Sequence, residues 1–197
     1  SDETVFNQVE QLITTTDEPM FIHTTTMQNH QPYNIGEDPD AELDNYLAGI
    51  KCTSDSLKKF TEDLKKIDEP TVIMMVGDHF PSLKGENSVY DQLELNGDNC
   101  SSVYEQSFII WSNYDLDYDK MPDEEFSTFY MPYVMMDLIG APKSEFSNEM
   151  LNKMETLPIY STNYDADIQR DEELDVLTYD RVLGNIMSDE ELKDTDE

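Results

Sequence analysis

Basic residues are scarce in this chain. Twelve Lys and Arg stand against 44 Asp and Glu in 197 residues, a formal net charge of −32. Such a surface repels phosphate backbones and anionic bilayers, so nucleic acid and anionic membrane surfaces are excluded as partners. The acidity itself reads as a solvated exterior. There is no stretch of about 18 or more apolar residues, so no transmembrane helix is expected. The first residues do not read as a secretory leader, and the abrupt opening on Ser1-Asp2-Glu3 reads as the start of a piece excised from something longer. The two cysteines, Cys52 and Cys100, lack C-x-x-C spacing and carry no metal or redox signature. Cys52 falls in a helical pattern and reads as a small core residue, and whether the two join is open. No P-loop, dinucleotide-binding glycine fingerprint or Ser-based elbow occurs. The acidic clusters Asp115–Asp119 and Asp165–Asp175 lack the spacing of a calcium loop.

What is present is enough for a folded core. Hydrophobic residues make up 38% and aromatic residues 10%, too many for wholesale disorder. The length suits one domain, residues 1–187, with no internal repeat and no dividing linker. Ser188 to Glu197 holds six acids and reads as a disordered tail. Asp2 to Ile13 reads as a helix with Val5, Phe6, Val9, Leu12 and Ile13 on one face and Ser1 or Asp2 as its cap. Met20 to Thr26 is a strand candidate. The clearest helix runs from about Ala41 to Ile67, where Leu43, Tyr46, Leu47, Ile50, Leu57, Phe60, Leu64 and Ile67 recur at three- and four-residue steps. Glu69-Pro70 ends it, and the apolar run Thr71 to Val76 follows as a buried strand.

Strand, helix, strand in that order predicts a right-handed crossover and a parallel pair. Ser107 to Ser112 is a third strand candidate. A helix is expected over Asp123 to Ile139, kinked or divided at Pro132 and ended by Gly140 and Pro142. Ser147 to Leu157 reads as a short helix, and another is expected around Tyr179–Leu183. The fold class expected from this order is α/β, a mainly parallel sheet flanked by helices.

Gly77-Asp78-His79 sits directly after the strand Thr71–Val76. A carboxylate and an imidazole are thus delivered together at a strand end, the edge where open α/β sheets bind ligands. Both are good ligands for a divalent metal. The plain alternative is a capping Asp and a partly buried His. A second motif, Asn29-His30-Gln31-Pro32-Tyr33, follows the Met20–Thr26 candidate and would emerge on the same edge. His30 alone would read as a surface residue, and the shared edge is what raises it to a candidate. His23, inside a strand candidate, reads as a satisfied core histidine.

These residues carry a resemblance. The stretch Phe21–Tyr33, the helix bearing Tyr46, Asp55, Leu57, Phe60 and Leu64-Lys65, and the run Thr71–Leu83 together resemble the later half of the lipoteichoic acid synthase family, within the sulfatase and alkaline phosphatase superfamily. Ser1-Asp2-Glu3 with Phe6 is similar to the segment that precedes this block in such enzymes. Ser127–Gly140 is similar to their helix that reads Pro-Thr-Leu-Leu-Asp-Leu-Leu-Gly. The likeness covers about residues 1 to 185.

The resemblance implies an alkaline phosphatase/sulfatase-like sheet, incomplete here, from a catalytic domain on the extracellular face of the cell membrane. Transmembrane helices absent from this chain would anchor the parent. It implies transfer of a glycerol-phosphate or related group, or cleavage of a phosphate or sulfate ester, by a Thr nucleophile aided by a divalent metal, Mn or Mg. Asp78 and His79 match the family's later pair of metal ligands, and His30 matches a histidine that contacts the phosphate-type group of a phospholipid head group or polyol phosphate. The Thr nucleophile and the remaining ligands belong to the earlier half of the domain, and nothing here matches them. Only Arg170 and Arg181 are available as arginines to clamp an anion. This chain is therefore expected to hold a metal weakly or not at all and to be inactive alone, with the missing N-terminal half as its partner. An exposed sheet edge would favour capture of that half or self-association. The competing readings are a noncatalytic acidic cell-surface module that keeps the superfamily's sheet, and a degenerate homologue that partners an active copy.

Overall fold

The computed structural model describes residues 1–33, 40–83, 89–95, 101–161 and 170–184. Cys100 and the acidic tail lie outside these residues, as do 34–39, 84–88, 96–99, 162–169 and 185–187. The chain divides into two compact units, Ser1–Tyr114 and Asp115–Glu197.

The first unit begins with helix α1, Asp2–Thr15. Ser1 caps it by accepting the Thr4 amide, and Asp2 and Glu3 suit the positive end of the helix. Helix α2, Asp40–Leu64, packs against α1 through its second half. Phe6 of α1 stacks on Phe60 of α2 with ring centroids 5.1 Å apart, and Leu64 is fully buried beneath them. Val9, Ile13, Leu57, Ile67, Ile73 and Trp111 close around this core.

Strands β1, Val72–Val76, and β2, Phe108–Ser112, pair antiparallel, with Val72 opposite Ser112 and Val76 opposite Phe108. Between them lie a one-turn helix α3, Val89–Gln92, and a 3₁₀ turn, Ser101–Tyr104. The expected parallel pair is corrected here: the pairing among the described residues is antiparallel. The reason lies in Met20–Thr26. That stretch forms no strand among the described residues, and Phe21 is 93% exposed. A run of threonines favours extended backbone, but a strand needs a neighbour to bond and a face to bury.

The turn from α2 into β1 is held by one side chain. Asn113 Nδ2 donates to Glu69 O at 2.8 Å and to Leu64 O and Ile67 O at 3.3 Å, while its Oδ1 accepts the Thr71 amide at 2.8 Å. The orphan carbonyls at the end of α2 and the first amide before β1 are thereby satisfied together. Replacing Asn113 with Ala should cost about 1–3 kcal/mol, measured as urea unfolding of the first unit.

In the second unit, 3₁₀ turns at Tyr118–Lys120 and Thr128–Tyr130 lead into α4, Met131–Leu138. The expected helix over Asp123–Ile139 is shortened, because Pro132 occupies the first turn of α4 and starts the helix instead of kinking it. Gly140 then ends it in the left-handed region at φ 66°, with the Ala141 amide donating to Met136 O. Helix α5, Glu145–Thr156, is capped by Ser144, and α6, Glu172–Tyr179, by Asp171. The expected short helix at Tyr179–Leu183 is a π-helical turn, Asp180–Gly184, that prolongs α6.

Lys153 joins α5 to the start of α6 through Asp171 at 2.9 Å and Glu173 at 2.8 Å. The core here is Tyr130, Phe146, Met150, Leu174 and Leu177. Tyr130 is fully buried and donates its hydroxyl to Leu157 O at 3.0 Å. Burial pushes its phenol up to about 12 from 10.0. The neutral phenol is the form the fold keeps. Its contribution is complete below pH 10 and is lost as pH rises from 10 through about 12. Alkaline unfolding followed by circular dichroism should show that slope, reduced in Tyr130→Phe.

Candidate metal and substrate site

β1 delivers Asp78 and His79 to the surface, with side chains 86% and 66% exposed. Asp78 Oδ1 accepts the His79 amide at 3.0 Å, and Asp78 Oδ2 lies 3.6 Å from His79 Nε2. His79 Nδ1 is 2.7 Å from Phe80 O. A carbonyl can only accept, so Nδ1 carries the hydrogen and Nε2 keeps its lone pair in the neutral ring. Nε2 and Oδ2 are then two electron-pair donors facing one space. A proton on Nε2 or a cation between them satisfies that arrangement. The donor chemistry thus suits a divalent metal, but the donor count falls short. Among the described residues no group of three or more His, Cys, Asp and Glu side chains converges to hold one.

His30 is placed in a turn, its amide donating to Met27 O at 3.3 Å. Its ring is set as that of His79 is, with Nδ1 donating to Gln31 O at 2.5 Å and Nε2 left available. No hydrogen bond or ion pair joins His30 directly to Asp78 or His79. Tyr33 follows three residues on. It is buried, it meets Tyr46 edge-on with centroids 5.2 Å apart, and its carbonyl accepts from Asn45 Nδ2 at 2.8 Å. Burial raises the Tyr33 phenol, followed by the fields of Tyr46 and of the Asp78 carboxylate. Tyr90 is raised first by burial and then by Tyr46 and Tyr33. Its hydroxyl bonds Pro81 O at 2.6 Å and its ring stacks on Phe80 at 6.5 Å. Tyr33 and Tyr46 thus pack together on the His30 side, and Phe80 and Tyr90 on the His79 side.

Other expectations are corrected. His23 is exposed, since the strand that would have buried it does not form. Cys52 is exposed as well, because α2 turns its neighbour Thr53 inward. Gln106 has no signature in the sequence. Its Oε1 lies 2.8 Å from where a Cβ on Gly77 would stand, and its Nε2 is buried with no partner among the described residues. A side chain at Gly77 would require that amide, the end of a flexible chain, to shift.

The sulfatase family profile matches residues 1–141. The chain belongs to the sulfatase family. Among curated relatives, it is 29% identical over 137 residues to a putative cyclic beta-1,2-glucan modification protein of Rhizobium meliloti, a match covering 57% of this chain and 21% of that protein. It is 26% identical over 103 residues to the lipoteichoic acid synthase of Staphylococcus saprophyticus, covering 47% of the chain and 16% of that enzyme. Lipoteichoic acid synthase 2 of Bacillus subtilis is 26% identical over 97 residues, covering 44% of the chain and 15% of that protein. The lipoteichoic acid synthase resemblance therefore holds. Among solved structures, the Streptococcus pyogenes phosphoglycerol transferase GacH, in complex with sn-glycerol-1-phosphate, superposes with a TM-score of 0.66 at 19% identity. That match covers 91% of this chain and 46% of GacH, and it establishes a sulfatase-like fold. This sulfatase-family chain thus spans about half the length of its structural neighbour and about a fifth or less of the curated relatives it matches. No described helix is long and apolar enough to cross a membrane.

Gly77→Ala should cost less than about 1 kcal/mol, since the Gln106 amide can move aside, read from urea unfolding. Adding Gln106→Ala should recover part of that loss.

Proposed function

We propose that this chain is the C-terminal part, residues 1–187, of an extracellular, membrane-anchored phosphoglycerol transferase or related phosphoesterase, and that it carries half of the metal and substrate site. The observation that carries this reading is the facing pair Asp78 Oδ2 and His79 Nε2, 3.6 Å apart at the mouth of β1, in a chain whose sulfatase match runs through both residues. A divalent metal, Mn or Mg, would be held by Asp78 and His79 together with ligands from the missing N-terminal half, and when bound it would offset charge on the transferred phosphate group.

The chain's own residues do the following. Asp78 supplies an anionic oxygen. His79 supplies Nε2, kept available because Nδ1 is committed to Phe80 O. His30 presents Nε2 to a phosphate oxygen, as a cationic donor when protonated. The substrate class this favours is a glycerol phosphate carried on a lipid or polyol, in keeping with the glycerol phosphate bound by GacH. The chain alone lacks the nucleophile and is inactive. Its principal partner is the missing half of the domain, which would meet an edge of the β1–β2 ribbon that no described strand pairs.

The test is turnover of phosphatidylglycerol by the full-length parent with Mn²⁺. Asp78→Ala and His79→Ala should each lower kcat/KM by about 10²-fold or more, and His30→Ala by a comparable factor. Unchanged turnover in the Asp78 and His79 variants would refute the metal assignment. A parent with no turnover of phosphate or sulfate esters would favour the noncatalytic cell-surface module.

A further inference from the structure

Beneath His30 lies a buried polar node that the site does not use directly. Asp2, at the first position of α1, is 1% exposed, and Thr53, midway along α2, is 6% exposed. Thr53 Oγ1 donates to Asp2 Oδ2 at 2.5 Å. It accepts from Asn29 Nδ2 at 2.9 Å and from Gln28 Nε2 at 3.3 Å. A threonine hydroxyl has one hydrogen and two lone pairs, so Thr53 is fully used. Gln28 also donates to Gly49 O at 3.3 Å and accepts the Asp2 amide at 3.1 Å. Asn29 Oδ1 sits 2.6 Å from where a Cβ on Gly49 would stand, so the bare face of α2 at Gly49 seats the Asn29 side chain. The residues gripped in this way are the two that immediately precede His30.

We propose that Thr53 is a positioning residue for His30: with Asp2 and the Gly49 notch it clamps Gln28 and Asn29 onto α2, and so fixes where the His30 imidazole stands. The stretch before His30 contains no sheet hydrogen bonds that would hold it. Its placement therefore comes from these side chains. Loss of the hydroxyl would take the donor from Asp2 Oδ2 and the acceptor from Asn29 Nδ2, and would leave Gln28 held only through Gly49 O and the Asp2 amide. Asp2 Oδ1 and Asn29 Oδ1 have no partner among the described residues. The importance of His30 to substrate binding rests on the function proposed above. The clamp itself does not.

The experiment is selective ¹³C labelling of the three histidines in the full chain, followed by NMR of their ring carbons in wild type, Thr53→Val, Thr53→Ser and Gly49→Ala. Thr53→Val and Gly49→Ala should each move the His30 signal to the position of a free histidine while His79 stays in place, and Thr53→Ser should restore the wild-type spectrum. An unmoved His30 signal in both Thr53→Val and Gly49→Ala would overturn the proposal. So would equal displacement of His30 and His79 in both, which would mean general unfolding. If Thr53→Val alone unfolds, Gly49→Ala decides. In the full-length parent, Thr53→Val should raise KM about tenfold in the wild-type background and leave it unchanged when His30 is already Ala. Loss of that KM effect with the NMR shift intact would count against the substrate role of His30 and leave the clamp standing.

Discussion

The first unit depends on the join between the end of α2 and the start of β1, and Asn113 makes that join. A helix that stops leaves carbonyls without partners, and a strand that starts leaves its first amide exposed. One carboxamide, next in sequence to the end of β2, serves both needs. It therefore ties three elements at one point. The direction in which β1 leaves that point decides where Gly77, Asp78 and His79 emerge. The apolar stack of Phe6, Phe60 and Leu64 supplies the bulk of the burial that holds α1 to α2, but burial is not directional, and the hydrogen bonds of Asn113 are what set the register.

The candidate site is built on loops and steadied from below by side chains. Gln106 lies under the Asp78-His79 turn, and Thr53 lies under the approach to His30. Tyr33 packs edge-on against Tyr46 beside the first stretch, and Phe80 stacks on Tyr90 beside the second. Electrostatics impose a further demand. A chain of net charge −32 repels an anionic ester. Its two arginines are occupied in the second unit, Arg170 with Asp175 and Arg181 over the Phe146 ring. Attraction for an anion would have to overcome that field through positive charge placed locally.

Much of the architecture was legible because it rests on local patterns. The three- and four-residue spacing of Phe60 and Leu64, the Ser1 cap and the β-branched run before Gly77 marked α1, α2 and β1 with boundaries close to those observed. Strand pairing was not legible, since direction depends on which edges meet, and Met20–Thr26 had the propensity of a strand without a partner. Helix α4 was overextended because its apolar positions continue backward past Pro132, where only 3₁₀ turns form. Cys52 and Thr53 are neighbours on one helix, and a rotation of about 100° between them decided which faced inward. The node around Thr53 joins residues up to 51 positions apart. Gly49 and Thr53 are poor helix formers in the middle of α2, and these are the positions where another segment is held. Asp78, His79 and His30 are candidates by residue chemistry and family likeness, while the residues beneath them have no local signature.

Each candidate imidazole anchors one nitrogen to the carbonyl of the following residue. The outward nitrogen of each ring is thereby aimed by the backbone and not by a distant partner, so its direction is set within two residues of its own Cα. A substitution elsewhere can shift such a ring only by shifting the peptide that carries it.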